Sequence, residues 1–438
     1  MTRVEYLLLT IPILIVNVFI LFFLWFVLIK NGKKAINLVI FFILIDLFIP
    51  LVIMFPFAMS DSNFLSLGSN IYIIKDYIVK SFFISNIGIL FTFLSYLFSG
   101  YLIRSVMEKK NMRKKIFLCI GYFKLIGVIC LTSLLLFLFL NSWDVTMDLR
   151  KMSFENTMSR PFLNIFTTLA GVLSTFSLIM MFTKKKMKLW VALLFIVVNI
   201  FLLLSGSRAR FLYPLLYYCI VVILSVRKHN KFYKLFGLGV VFTVIAIILL
   251  AIRKLSLQYT NITVIVQQIL YGNTFSDIRD FGLVLRFWEN SDLPFLFGKS
   301  YVAALLSFIP SSVLPLRNSF SFYYQNVRVV FSDVIYHPGF RTGFFGEPYF
   351  NFGFWGVVVV GLLLGCMYRF ISIKENQILL NVSLKKYEKQ LLLFQLIIVH
   401  NLFVSILLIT ASAYSFFLIV GTILIYRYII NVLNLSNV

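Results

Sequence analysis

Eleven apolar runs, most of them long enough to cross a lipid bilayer, limit what this chain can fold into. They fall at 6–29, 36–58, 81–103, 116–140, 161–182, 189–205, 211–226, 235–252, 347–371, 390–408 and 411–430. A hydrocarbon layer of about 30 Å takes roughly 20 apolar residues in a helix, so each run reads as a membrane-crossing helix. The first is too long for a signal-peptide core and has no small-residue cleavage site, so it reads as a retained helix. Runs six and seven are short. A tight Gly206-Ser207-Arg208-Ala209-Arg210 turn joins them, so their junction is expected below the membrane surface. Of the 438 residues, 61% are hydrophobic and 13% charged, where soluble domains sit near 45–50% and about 25%. Soluble domains, a disordered chain and a disulfide scaffold are excluded. The expected fold class is an all-α polytopic membrane protein of eleven transmembrane helices.

The formal charge of +24 is then read through the membrane. On a soluble protein such an excess would point to nucleic acid. Here the basic loops 30–34, 104–115, 184–188, 227–234 and 374–389 fall at alternate crossings, and with Arg369 and Arg427 they hold 23 Lys and Arg. The short segments on the other face hold eight, Arg3, Arg208 and Arg210 among them. Positive residues in short loops mark the cytoplasmic side, which puts the N-terminus outside and the C-terminus inside, with no nucleic-acid partner. The four cysteines, Cys119, Cys130, Cys219 and Cys366, lie in apolar runs and read as small buried residues, neither disulfides nor metal ligands.

One connection breaks this rhythm. Residues 253–346 form a long loop on the outer face, with eight basic and five acidic residues, a balanced composition suited to water. The chain thus divides into an N-terminal bundle of eight helices (1–252), a large extracytoplasmic loop (253–346) and three C-terminal helices (347–438). Within the loop, Thr263–Trp288 has helical apolar spacing around Asp277, Arg279 and Asp280, and 301–310 reads as an interfacial helix ended by Pro310. Ordered loops of such length usually carry function.

The sequence motifs that hold nucleotides, zinc or a serine nucleophile are missing, as is the Asp-x-Asp pair that holds a metal on a nucleotide sugar. No cofactor or metal is expected. Two outward clusters remain. In the first, Arg208 and Arg210 follow Gly206. Two planar cationic forks at i and i+2 suit a diphosphate, and equally suit arginines that snorkel at helix ends. The second runs from His337 to Gly353 (H-P-G-F-R-T-G-F-F-G-E-P-Y-F-N-F-G). Glu347 precedes Pro348, a residue suited to a first helical turn, so its carboxylate is expected at a helix N-terminus, either as a site or as a plain cap. Asn351 follows on the same face. Gly361 and Gly365 form a small-xxx-small pair that reads as helix packing. Asp46 lies mid-span, where a charge needs an internal partner or a relay role. His400-Asn401 reads as a hydrogen-bonded packing pair.

The G-S-R-A-R hairpin, a large outer loop late in the chain, G-K-S-Y at 298–301, F-I-P at 308–310 and G-E-P-Y-F-N-F-G-F-W-G opening the next helix together resemble the Wzy family. These are bacterial O-antigen and capsular polysaccharide repeat-unit polymerases. The motifs cover about a tenth of the chain. The resemblance implies a GT-C-like membrane glycosyltransferase at the outer face of the bacterial cytoplasmic (inner) membrane, independent of metal and nucleotide. It would join undecaprenyl-diphosphate-linked oligosaccharides and work beside a flippase and a chain-length regulator. Arg208 and Arg210, assisted by Arg341, would take the diphosphate. Glu347 or His337 would act as base or acceptor anchor, with Gly206, Tyr349 and Asn351 in support. The related O-antigen ligases carry His-Asn before the helix that here begins with Glu347-Pro348, so this chain departs from them. A lipid-oligosaccharide flippase would show paired halves and short loops, and the long outer loop and the eight-to-three split of helices speak against it. An acyltransferase centred on His400 is the remaining alternative.

Overall fold

The computed structural model describes residues 2–30, 37–60, 71–100, 112–143, 158–183, 189–205, 208–225, 276–306, 313–320 and 342–435, with a few single positions besides and two gaps inside 276–320. Among the described residues every regular element is a helix. They are α1 (Arg3–Lys30), α2 (Leu38–Ala58), α3 (Ile71–Phe98), α4 (Met112–Leu140), α5 (Arg160–Thr183), α6 (Leu189–Leu204) and α7 (Arg208–Ser225). After them come α8 (Asp277–Asn290), α9 (Lys299–Leu305), α10 (Leu316–Phe320), α11 (Gly343–Leu380), α12 (Lys386–Leu407) and α13 (Ile409–Leu435).

Seven of these, α1–α5, α11 and α12, are long and apolar enough to cross a bilayer, while α6, part of α7 and part of α13 are shorter apolar helices. The chain is a multi-pass membrane protein. The expected span at 235–252 lies outside the described residues, apart from Gly237.

The chain divides into two units, and neither is a continuous stretch. One comprises Met1–Met107, Leu250–Ile373 and Phe403–Ala413; the other comprises Glu108–Leu249, Lys374–Leu402 and Tyr414–Val438. In the first, α1 runs parallel to α3: Arg3 pairs with Asp76, Tyr6 packs on Phe83 and Asn17 donates to the Asn86 carbonyl. Helix α2 runs antiparallel to α3, with Phe55 on Phe82 and Phe48 on Phe93. Helix α11 runs parallel to α3, Gly361 set against Gly88 and Gly365 against Thr92. A Cβ at Gly361 would stand 2.7 Å from the Gly88 carbonyl oxygen, so the small-xxx-small pair does pack helices, by letting two backbones touch. These directions are those that the alternating basic loops require.

The second unit follows the same rule. Phe123 meets Phe176 and Cys130 lies at the Phe166 carbonyl, which makes α4 and α5 antiparallel. Asn199 of α6 exchanges hydrogen bonds with Ser174 of α5, and Asn401 of α12 donates to the Tyr217 hydroxyl of α7. Cys130 is buried, Cys219 half-buried and Cys366 exposed, and none of the three is in a disulfide. The expectation of burial therefore fails at Cys366, which sits beside Ser95 of α3.

The middle of α2 departs from α-helical bonding. From Leu44 to Ile53 it winds in wider π-type turns, with the Met54 N–H reaching the Ile49 carbonyl. Pro50 lies within this stretch and has no N–H to offer the carbonyl four residues back. A wider turn passes that acceptor to the next donor.

The outer loop is less water-facing than its charge balance suggests. Helix α8 is buried on nearly every side, Arg279 and Asp280 included. It is fastened along the first half of α3, where Tyr77 donates to Asn290, Lys80 pairs with Glu289 and Ser81 donates to the Ile278 carbonyl. Three of the charges that made the segment look solvated have internal partners: Arg279 and Asp280 pair with each other, and Glu289 pairs with Lys80. Of the helix expected from Thr263, the part before Ser276 lies outside the described residues. The expected 301–310 helix is Lys299–Leu305 and stops well before Pro310.

Candidate functional site

The candidate site is built where the G-E-P-Y-F-N-F-G segment interrupts a helix. Helix α11 begins at Gly343, four residues before the expected start, and so Glu347 stands in its second turn and is not an N-terminal cap. The expectation of a carboxylate held by the helix dipole is therefore corrected. The reason is local: Gly343 and Thr342 open the helix, the Gly346 N–H reaching back to the Thr342 carbonyl, and Pro348 follows without stopping it.

The expected single helix is also two arms. Phe352 (φ −138°, ψ 15°) and Gly353 (φ 62°, ψ −147°) leave helical geometry. The Gly353 combination is open essentially only to glycine. The short first arm, 343–351, carries Glu347 and Asn351 one turn apart, and Asn351 Nδ2 donates to the Glu347 carbonyl at 2.9 Å. The shared face expected from their spacing is present.

A helix that stops leaves its last carbonyls without donors. Here the outer loop supplies them: the Leu296 N–H donates to the Phe350 carbonyl and the Phe297 N–H to the Asn351 carbonyl, each at 3.0 Å. The same strand of loop closes a side-chain network. The Gly298 N–H donates to Asn351 Oδ1 at 2.9 Å, Asn351 Nδ2 to Ser300 Oγ at 2.8 Å, and Ser300 Oγ to Glu347 Oε1 at 2.8 Å. Glu347 is 3% exposed, and Ser300 and Asn351 are fully buried. A carboxylate in such a place needs hydrogen bonds to stay affordable, and the hydroxyl of Ser300 provides one. The cluster thus fixes the Glu347 carboxyl group at the junction of loop and helix.

Tyr301 lies beside it. Burial, and next the negative charge of Glu347, push its hydroxyl above the ordinary tyrosine range, so it remains a donor at neutral pH. Its ring stacks on Phe352 at 6.3 Å. Tyr349 is buried among Phe281, Phe295, Phe350 and Phe354, which makes it part of the aromatic packing under the site. A second buried polar group is the Arg279–Asp280 pair of α8, with Arg279 Nη2 to Asp280 Oδ1 at 3.0 Å and Ser276 Oγ donating to Asp280 Oδ2 at 2.7 Å.

No family model, curated protein or solved structure matches this chain.

The remaining expected residues are placed unevenly. Arg208 and Arg210 open α7, but their side chains, like Gly206, His337 and Arg341, lie outside the described residues. Asp46 accepts a hydrogen bond from the buried Tyr368 hydroxyl at 3.0 Å, an internal partner of the kind its mid-span place calls for. His400 is buried and pairs with Asn401, as a packing histidine does. Two features escaped assignment from sequence. Ser300 stands in the quoted G-K-S-Y stretch, yet nothing in its neighbours shows that it faces Glu347, 47 residues away. The pairing of Arg279 with Asp280 was likewise hidden, since adjacent opposite charges on an amphipathic helix normally face solvent.

Proposed function

We propose that this protein is a polytopic glycosyltransferase that joins undecaprenyl-diphosphate-linked oligosaccharide repeat units into an O-antigen or capsular polysaccharide at the outer face of the bacterial cytoplasmic membrane. The observation that carries this reading is the buried Glu347–Ser300–Asn351 cluster, set in the motif that resembles the Wzy family and built jointly by the outer loop and a membrane helix. The acceptor hydroxyl attacks the donor's anomeric carbon, the bond from that carbon to the diphosphate oxygen breaks, and undecaprenyl diphosphate leaves. The acceptor's proton passes to a base, a role the resemblance gives to Glu347 or His337. Negative charge gathers on the departing diphosphate, and fixed cations lower that barrier; the resemblance gives Arg208, Arg210 and Arg341 this part. Because the lipid diphosphate is already an activated leaving group, no nucleotide enters the reaction.

The test is chain elongation by purified protein in vesicles supplied with lipid-linked repeat units. Arg208→Ala and Glu347→Ala should each lower elongation at least ~100-fold, the scale set by loss of a charge-stabilising group or of a base. Normal expression with full elongation in both variants would overturn the assignment. Movement of the lipid-linked units across the bilayer without elongation would instead favour a flippase.

A further inference from the structure

Around the break in α11 the protein exposes five large aromatic rings: Phe295, Phe297, Phe352, Phe354 and Trp355. Gly353 lies 3.3 Å (as a Cβ position) from the Phe295 ring, Phe295 is 6.4 Å from Phe297, and Phe352 approaches Gly298. Phe297 is 73% and Trp355 78% exposed. The charged neighbour is Lys299, itself exposed, whose ammonium lies over the Phe320 ring.

Two physical constraints decide what covers this surface. Five large rings facing bulk water are costly. Conversely, irregular backbone does not face lipid inside the hydrocarbon layer, where unpaired N–H and C=O groups have no partner. Both the broken turn at Phe352–Gly353 and the non-helical stretch 293–296 lie beside these rings. Only the headgroup layer tolerates aromatic rings, a lysine and irregular backbone together.

Helix length gives an independent estimate of the depth. The second arm of α11 runs unbroken from Phe354. At about 1.5 Å per residue it needs roughly 20 residues to cross a layer of about 30 Å, which brings it to Lys374. That residue opens the basic segment 374–389, so the two ends of one crossing are marked by aromatic rings and by cations.

We propose that Phe295, Phe297, Phe352, Phe354 and Trp355, with Lys299, form a docking surface seated in the outer headgroup layer of the bilayer, and that the break in α11 sets the depth of the Glu347 cluster at that layer. The partner is the phospholipid interface: rings among the glycerol and carbonyl groups, and the ammonium at the phosphates. This depth stands without the proposed function. Its consequence rests on that reading: the bond between a lipid diphosphate and its first sugar lies at the same level as Glu347.

Tryptophan quenching in vesicles of phosphatidylcholine, brominated either near the headgroup or near the chain ends, tests the depth on the full chain. Subtracting Trp355→Phe from the native protein isolates the Trp355 emission. It should be lost to shallow bromines and largely spared by deep ones, and Phe297→Trp should add emission with the same preference. Leu363→Trp, lower on the exposed side of the same arm, should show the reverse. Quenching of Trp355 and of Phe297→Trp by deep bromines would put the surface in the hydrocarbon. Insensitivity to both lipids with quenching by aqueous acrylamide would put it in water. Either result overturns the proposal. Chain elongation is not read in this experiment, so failure of the polymerase reading leaves the depth result intact.

Discussion

The Ser300 hydroxyl donates to the buried Glu347 carboxyl group and accepts in turn from Asn351. Ser300→Ala would leave both partners short of a bond in a buried place. The expected cost is about 1–2 kcal/mol, from the typical penalty of a buried group left unpaired, measured as a lowered midpoint of denaturation in detergent. Tyr301 gives a pH signature. Its hydroxyl is raised in the folded protein by burial and by Glu347. Above the ordinary tyrosine value of 10.0 the unfolded chain releases the proton and the folded chain keeps it. Stability from this source is therefore intact below that pH and falls as pH rises past it. Tyr301→Phe should flatten that alkaline loss relative to the native protein, seen in unfolding midpoints followed from neutral to strongly alkaline pH. An unchanged slope would show that the hydroxyl is not held as described. At this scale the spacing of Glu347 and Asn351 was legible because i and i+4 share a helix face. The Ser300 contact was not, because nothing local links positions so far apart in the chain.

Among the elements, α11 shows how one residue type changes a helix into two arms. Its apolar run predicts one continuous crossing, with no break marked at Gly353. The backbone at Gly353 takes a conformation closed to side chains, with the Phe295 ring at 3.3 Å from where a Cβ would sit. Gly353→Ala should therefore destabilise the protein by about 1–3 kcal/mol, and it should weaken elongation as well, because the loop N–H groups of Leu296 and Phe297 cap carbonyls that the break exposes. Gly353→Ala with native stability would mean that the arms join in another way. Helix α8 teaches the converse lesson. Its charges argue for water, yet Arg279 and Asp280 pair with each other and with Ser276, and Glu289 pairs with α3, and composition cannot report such pairing.

For the whole molecule, helix directions inside each unit agree with the alternation of basic loops. Reporter fusions check the sidedness that the basic loops imply: alkaline phosphatase joined after residue 34 or after 380 should be inactive, and joined after residue 60 should be active. Activity at 34 with inactivity at 60 would invert the topology. The membrane character and the helical class were legible in the sequence alone, because transfer of apolar residues into lipid is a nearly local energy. Which helices form a unit was not, since α11 and α12 each divide between two groupings. Nor could the sequence show that Glu347 meets Ser300, that α8 is buried or that Gly353 breaks a crossing. Those depend on contacts between distant segments, whose energies exist only once the chain has folded.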